Sequence, residues 1–163
     1  MRAFTILAAL AALAACESTP VSPDGGQSAL TVTRLRAEPY SFTFYSGLDD
    51  RQRIVVRDQT QWKDVWQQIW KRTSPVPDLP SIDFTRELVI VAADGSRPTG
   101  GYNILIERAS DSGGAGINVV IRSVSPGRCG VTQALTQPVD IARVTRRDGA
   151  VIFTERAEVQ DCN

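Results

Sequence analysis

Residues 87–102 read ELVIVAADGSRPTGGY, and this stretch decides the fold that the sequence predicts. Its first part, residues 88–93, is an unbroken apolar run, which is typical of a buried central strand. Its second part, residues 97–102, contains one proline and two glycines and therefore predicts a turn that leads into the next strand. The sequence thus predicts a β-sheet whose central strand ends in a Gly-rich loop.

Shorter strand signals lie on both sides of this stretch. Residues 36–45 place Tyr40, Phe42 and Phe44 on one face and predict an early strand. The other predicted strands are residues 53–57, 102–107, 117–124, 139–145 and 151–155, with a tight turn at Asp148-Gly149 joining the last two. Several short strands at close spacing predict a sheet that is mainly antiparallel.

One helix is predicted, and it begins at a capping box. Asp58 and Gln61 have the required spacing, in which the first side chain accepts a hydrogen bond from an early helical N–H. The apolar stripe of this helix is formed by Trp62, Val65, Trp66, Ile69 and Trp70. Such a stripe is a partner-binding face or a core face, and the area of the indole rings favours the core. We therefore expect an α+β domain, mainly antiparallel β-sheet with one amphipathic helix packed on it; the prolines of residues 74–80 predict an extended connector after the helix.

The first residues have the layout of a bacterial secretory signal. Arg2 precedes an apolar run, residues 3–15, that is too short to span a bilayer. The run ends in Leu13-Ala14-Ala15-Cys16, which resembles the lipobox of bacterial lipoproteins, where the cysteine is acylated after cleavage. The sequence therefore predicts a lipid, palmitate among its acyl chains, on Cys16.

These features divide the chain into three parts. Residues 1–15 are the predicted signal peptide, residues 16–34 a tether rich in Ser, Pro and Gly, and residues 35–163 the folded domain. We expect a protein of the cell envelope that is anchored by lipid. Because Glu17 follows the lipidated cysteine where some bacteria use Asp for inner-membrane retention, the outer membrane, facing the periplasm, is favoured.

The two remaining cysteines, the net charge and the lack of histidine limit which functions are plausible. Cys129 and Cys162 predict a disulfide in an oxidising compartment, and the alternative is a reactive Cys129. Removal of Arg2 with the signal leaves 17 basic against 18 acidic residues, which gives no reason to expect nucleic acid as a partner. The chain has no histidine, so histidine-based triads and metal sites are excluded, and no cofactor is expected.

Residues 87–104, together with the segments on either side, resemble the C-terminal domain of the PrcB family. The helix from Asp58 to Trp66 and the segment from Cys129 to Pro138 resemble corresponding parts of that domain, so the likeness extends over residues 53–153. The family is named after a subunit of a protease complex. The resemblance implies a domain of the bacterial surface or periplasm, with a secreted or envelope protease as the implied partner.

The loop of residues 97–102 is the predicted partner-binding site. Its members are Arg97, Pro98, Thr99, Gly100, Gly101 and Tyr102, and Arg and Tyr are residue types enriched at interface anchors. The alternative is a well-made hairpin turn with no ligand. The loop is also similar to the Asn-Pro-Thr-Thr-Gly loop of chagasin-like cysteine-protease inhibitors, with Arg97 and Gly100 as departures.

Three function classes follow from these observations. The favoured hypothesis is a non-catalytic protein-binding module, an accessory subunit of a protease complex. The alternatives are a structural envelope lipoprotein without a discrete partner and a chagasin-like inhibitor. An enzyme is disfavoured because only the carboxylate pairs Asp49 with Asp50 and Asp83 with Glu87 are candidates for catalysis, and carboxylates on turns are usually solvated.

Overall fold

The computed structural model describes residues 28–36 and 45–162. Within them, eight strands form two four-stranded sheets and one helix is present. The first sheet has the strand order β1-β5-β6-β8, with β1 Ala29–Leu30, β5 Asn103–Asp111, β6 Ile117–Pro126 and β8 Val151–Gln160. The second has the order β2-β7-β4-β3, with β2 Val32–Arg34, β7 Val139–Thr145, β4 Glu87–Asp94 and β3 Arg51–Val56; the helix is α1 Gln59–Ile69.

The two sheets pack face to face around one apolar core. Alternate residues of β4, among them Leu88 and Ile90, meet Ile104 and Ile106 of β5 and Ile121 of β6, all with almost no exposure. Alternation along each strand sends these side chains to the shared interior. This core holds the two sheets together as a sandwich.

The helix adds a third layer on the outer side of the second sheet. Trp62, Trp66 and Ile69 pack there against Val89 and Val91, the residues of β4 that point away from the first sheet. Strand β4 is therefore covered on both faces, which is why residues 88–93 contain no polar side chain. The Trp stripe is a core face, as the sequence favoured.

Strand β3 is an edge of the second sheet and strand β8 is an edge of the first, and side chains of the two strands contact each other. Phe153 packs on the core between the sheets, as does Val55. Further along β8, Glu155 accepts hydrogen bonds from Arg53 at 2.8 Å and from Arg51 at 2.9 Å. Although burial opposes the charge of Glu155, these two guanidinium groups hold its pKa below the ordinary value.

The predicted α+β fold, mainly β with one helix, is confirmed, but one expected hairpin, one alternative hairpin and one segment boundary differ from the structure. Strands β7 and β8 are not a hairpin, because they lie in different sheets, and β8 pairs with β6 in parallel. Residues 97–102 are not a hairpin turn either, because they connect β4 in one sheet to β5 in the other. Strands β1 and β2 fall inside residues 16–34, so pairing begins at Ala29 within the stretch assigned to the tether.

Other expectations have different outcomes. Of the strand predicted over residues 36–45, only the two end residues are described. The predicted signal peptide and Cys16 lie outside the described residues. Asp58 caps the helix by accepting from the Gln61 N–H at 2.9 Å, as the capping box predicts. Among the residues that the structure describes, no helix has the length and apolar content needed to cross a bilayer.

Candidate functional site

The loop of residues 97–102 is held against the segment between β6 and β7. Arg97 and Thr136 exchange two backbone hydrogen bonds, of 2.8 and 3.0 Å, and the Gly100 N–H donates to the Thr132 carbonyl at 2.8 Å. The Thr136 hydroxyl also donates to the Thr99 carbonyl at 2.8 Å. The loop is therefore paired along its length, and its backbone conformation is fixed by contacts about 35 residues away in sequence.

Close approach explains the two glycines of this loop. A Cβ on Gly100 would stand 2.6 Å from the Thr132 hydroxyl oxygen, and Gly101 has a φ of 82° beside Val131 and Pro126. Any side chain would push the two segments apart at the first position and strain the backbone at the second. The close packing of these two segments thus requires glycine at both positions.

Arg97 is anchored to a buried carboxylate. Its guanidinium makes two contacts with the carboxylate of Asp94, from Nε at 2.9 Å and from Nη2 at 2.8 Å, and Asp94 is almost fully buried. The hydrogen bond that Arg97 donates to the Asp94 carboxylate raises the pKa of Arg97 above its ordinary value. The Tyr102 ring lies 5.3 Å from the guanidinium carbon, within cation–π range.

A polar network that is buried at Ser46 and Gln137 and exposed at Ser96 and Asp49 supports the loop from behind. The Gln137 side chain donates to the Ser96 hydroxyl at 3.3 Å, and its backbone carbonyl accepts from the Ser46 N–H at 3.2 Å. The Ser96 N–H donates to the Asp49 carbonyl at 2.8 Å, and Arg72 donates to both carboxylate oxygens of Asp49. These hydrogen bonds join the three segments to one another, and the one between Ser46 and Gln137 connects two buried residues.

Two large apolar side chains emerge beside this rigid support. Tyr45 is 55% exposed and pairs through its backbone with Gln137, and Leu135, next to Thr136, is 57% exposed. We use the name loop face for Tyr45, Leu135 and residues 97–102. An exposed aromatic and an exposed aliphatic residue next to a fixed Arg and Tyr have the composition of a protein-binding surface.

The disulfide lies at the edge of the loop face. Cys129 and Cys162 are bonded, with their Cα atoms 5.0 Å apart, so the predicted pairing is present and Cys129 is not a free thiol. The two cysteines line a cavity of about 330 Å³ together with Gly101, Val131 and Gln160. The bond joins the end of the chain to the segment that supports residues 97–102.

Three of the four carboxylates that the sequence offered for catalysis, Asp49, Asp83 and Glu87, have structural partners. Asp49 forms ion pairs with Arg72 and Lys71, and the Arg72 hydrogen bond lowers its pKa. Asp83 accepts from Thr85, which lowers the pKa of Asp83, and Glu87 lies 3.4 Å from Arg143. In residues 28–36 and 45–162, no three His, Cys, Asp or Glu side chains come together in a way that could hold a metal ion.

Sequence reasoning missed the residues behind the loop. Asp94 is the one with a local signal, because an acidic residue at the end of an apolar strand stands three positions before Arg97. Gln137, Thr136 and Leu135 have no such signal, since their role depends on segments that meet only in the folded chain.

Comparison with known proteins gives one family. Residues 88–145 match the family described as PrcB C-terminal. The matched region begins in β4, ends with β7 and contains both segments that build the loop face apart from Tyr45. Searches of curated proteins and of solved structures returned no match.

Proposed function

Because residues 88–145 match the PrcB C-terminal family, we propose that this protein is a membrane-anchored envelope lipoprotein that binds a protein of a protease complex through its loop face. In this role the domain is an accessory subunit that positions its partner and performs no chemistry of its own. The lipid on Cys16 keeps the domain at the membrane, in the outer membrane and facing the periplasm.

The observation that carries the binding role is the contrast between the fixed backbone and the exposed side chains of the loop face. Residues 97–102 are paired with residues 132–136, while Leu135 and Tyr45 are each more than half exposed. A surface that is already ordered loses little conformational entropy when a partner binds. Exposed apolar side chains on such a surface gain free energy when a partner covers them.

The anchor is supported by the order of segments at the N-terminus. A positive residue, an apolar run and the sequence Leu13-Ala14-Ala15-Cys16 come in the order that export and lipidation require. Two or three acyl chains bind a bilayer stably, whereas one chain binds only marginally. The disulfide between Cys129 and Cys162 agrees with an oxidising compartment outside the cytoplasm.

The test of the binding role is crosslinking of the tagged full-length protein in its native cells, followed by mass spectrometry. We expect one dominant partner, a protease or a subunit bound to one, and its loss with Leu135→Ser. Arg97 and Tyr102 are poor positions for this test, because they contact each other and Asp94 inside the domain. Val76→Ser is the matched control, since Val76 is exposed on the connector after α1.

A scatter of abundant envelope proteins that Leu135→Ser leaves unchanged would contradict the binding role and favour a structural lipoprotein. The anchor has a separate test, in which cells are labelled with a palmitate analogue. We expect label on the wild-type protein and none on Cys16→Ser, with the unlabelled variant released from the membrane fraction.

A further inference from the structure

Strand β8 is the longest edge strand of the two sheets. The other edges are β1 with 2 residues, β2 with 3 and β3 with 6, whereas β8 has 10. Short edges limit unwanted pairing with other chains, because few backbone groups are offered. The long edge at Val151–Gln160 departs from this pattern.

The free backbone groups of β8 can be identified from its pairing with β6. The Ala150 carbonyl accepts from the Ile117 N–H at 2.9 Å, and the Gln160 carbonyl accepts from the Gly127 N–H at 2.8 Å. In a parallel ladder alternate residues bond to the same neighbour, so the even-numbered residues of β8 face β6. The odd-numbered residues, from Val151 to Val159, direct their N–H and C=O groups to the open edge, where no described residue pairs with them.

Two of the usual devices that protect an edge strand, a proline and a β-bulge, are missing from β8. It contains no proline, and its register with β6 is continuous over all ten residues, without a bulge. Its charged side chains do not stand free at the edge, because Glu155 binds Arg53, Arg156 binds Glu107 and Glu158 binds Arg122. The edge is therefore regular and open to pairing.

The side chains along β8 favour an amphipathic strand as the neighbour. The odd-numbered residues include Phe153, Ala157 and Val159 and point to the side that faces the second sheet. Val159 is 67% exposed, and on the other side of the strand Ile152 is 54% exposed. A neighbouring strand with apolar residues at alternate positions would cover the exposed apolar area on the inner side.

We propose that β8 accepts an extended segment of the partner protein as a fifth strand of the first sheet. This inference rests on the proposed function and names the mode of contact for part of the interface. The position of the end of β8 supports this proposal. Gln160 lines the same cavity as Gly101, which belongs to the loop face, and Val131, which belongs to the segment paired with it. A strand on the edge therefore runs directly toward the loop face, and backbone hydrogen bonds supply its register.

A second copy of this chain fits the edge less well. Antiparallel pairing through the free groups joins odd-numbered residues to odd-numbered residues. The two registers with the longest overlap between identical strands then place Glu155 opposite Glu155 or Arg156 opposite Arg156. In these registers two Glu155 side chains that already bind Arg51 and Arg53, or two Arg156 side chains, would have to pack against each other. The shorter registers that avoid this leave three residues of each strand unpaired, which favours a different polypeptide as the occupant.

The first test is amide hydrogen exchange on the purified full-length protein. We expect fast exchange at Phe153, Glu155 and Ala157 and slow exchange at Thr154 and Arg156, whose N–H groups face β6. Uniform protection along β8 would mean that the edge is already covered and would overturn the proposal.

The second test places a photoreactive residue at Ile152 or at Val159 of the full-length lipoprotein in its native cells. We expect both positions to crosslink to one continuous segment of one partner, at sites about seven residues apart, as two aligned strands require. Ala157→Pro removes an N–H that faces the open edge and leaves the pairing with β6 intact. It should lower the crosslink yield by about tenfold, whereas the control Ala157→Ser should not change it.

The outcomes separate this proposal from the proposed function. Crosslinks from β8 to β8 of a second copy, or to scattered segments, overturn the strand addition. If Leu135→Ser abolishes the partner while β8 gives no crosslinks, the loop face binds and the edge does not. A thermal unfolding curve of Ala157→Pro that matches the wild type shows that the loss of crosslinks is not a loss of fold.

Discussion

The ion pair between Asp94 and Arg97 connects the loop of residues 97–102 to the buried end of β4. Removing the guanidinium leaves a carboxylate that is 3% exposed without its charged partner. Because about a third of the Arg97 side chain is exposed, we expect Arg97→Ala to lower the free energy of unfolding by roughly 1–3 kcal/mol, less than for a fully buried pair. Urea denaturation of the wild type and the variant measures this loss.

A double-mutant cycle provides the control for this prediction. Asp94→Ala combined with Arg97→Ala should cost less than the sum of the two single variants, because no unpaired charge is left behind. Additive losses would mean that the two side chains stabilise the domain independently. Arg97→Lys keeps the charge but not the two-point contact, so it should fall between Arg97→Ala and the wild type.

The pKa of Asp140 shifts in the direction opposite to those of Asp49, Asp83, Asp111 and Glu155. It lies between the sheets, where its Oδ2 accepts from the Ile106 N–H at 2.7 Å and from Arg34 at 3.2 Å. Burial raises the pKa of Asp140 above the ordinary value, despite the hydrogen bond from Ile106 and the charge of Arg34. The folded state therefore binds this proton more tightly than the unfolded state does.

The sign of the pH dependence follows from that difference. The stability contributed by Asp140 is fully present below its unfolded pKa of about 4 and is lost as the pH rises through its folded pKa. We expect the unfolding free energy of the wild type, minus that of Asp140→Asn, to fall as the pH rises through this window. Thermal unfolding in a pH series tests it, and a difference that rises with pH would mean that Arg34 outweighs burial.

At the residue scale, the sequence identified the residues of the loop better than it predicted their contacts. The pattern of residues 97–102 correctly marked a special loop, and Thr99 does make a local hydrogen bond to the Gly100 carbonyl. The sequence offered Arg97 as an exposed anchor, but the buried carboxylate of Asp94 holds it. Which group an arginine binds depends on how deeply the neighbouring side chains are buried, and the spacing of residues in the sequence does not predict that burial.

At the scale of elements, the helix is stabilised at its start by a side chain that the sequence identified. Asp58 accepts from the Gln61 N–H, and the Gln61 side chain accepts from the Arg57 N–H at 3.1 Å. We expect Asp58→Ala to lower the free energy of unfolding by about 1 kcal/mol. Lys63→Ala on the exposed side of α1 is the control and should have little effect; equal losses in both variants would argue against a capping role.

Helices and strands with a strongly periodic apolar pattern were predicted well, whereas the edge strands were not. The i, i+3, i+4 stripe of α1 and the apolar run of β4 each follow from one buried environment that persists along the whole element. Strand β8 was predicted to end at Glu155 but continues to Gln160, because the pairing with β6 supports residues that are themselves exposed. Strands β1 and β2 were missed, since two or three residues are too few to reveal alternation.

At the scale of the whole molecule, the sandwich is set by connections that cross between sheets. The loop of residues 97–102 leads from the second sheet to the first, and the turn at residues 146–150 leads from β7 to β8 in the other sheet. A turn with Asp and Gly has the same composition whether its strands pair with each other or separate. The topology is therefore decided by which apolar faces can be buried together, which local sequence does not specify.

The disulfide between Cys129 and Cys162 joins the end of β8 to the segment that pairs with residues 97–102. It closes a separation of 33 residues, and replacing both cysteines by serine should lower the free energy of unfolding by roughly 3–4 kcal/mol. The loss should appear first as faster amide exchange in residues 128–136 and at the end of β8, while α1 keeps its protection.

Partner binding should weaken with the same double variant, since the loop face and the end of β8 would no longer be held together. Denaturation gives the stability, and the crosslink yield at Val159 in native cells gives the effect on binding. If stability falls while crosslinking at Val159 is unchanged, the disulfide only strengthens the domain. If crosslinking falls at a temperature where the variant is still folded, the covalent link orders the surface that the partner recognises.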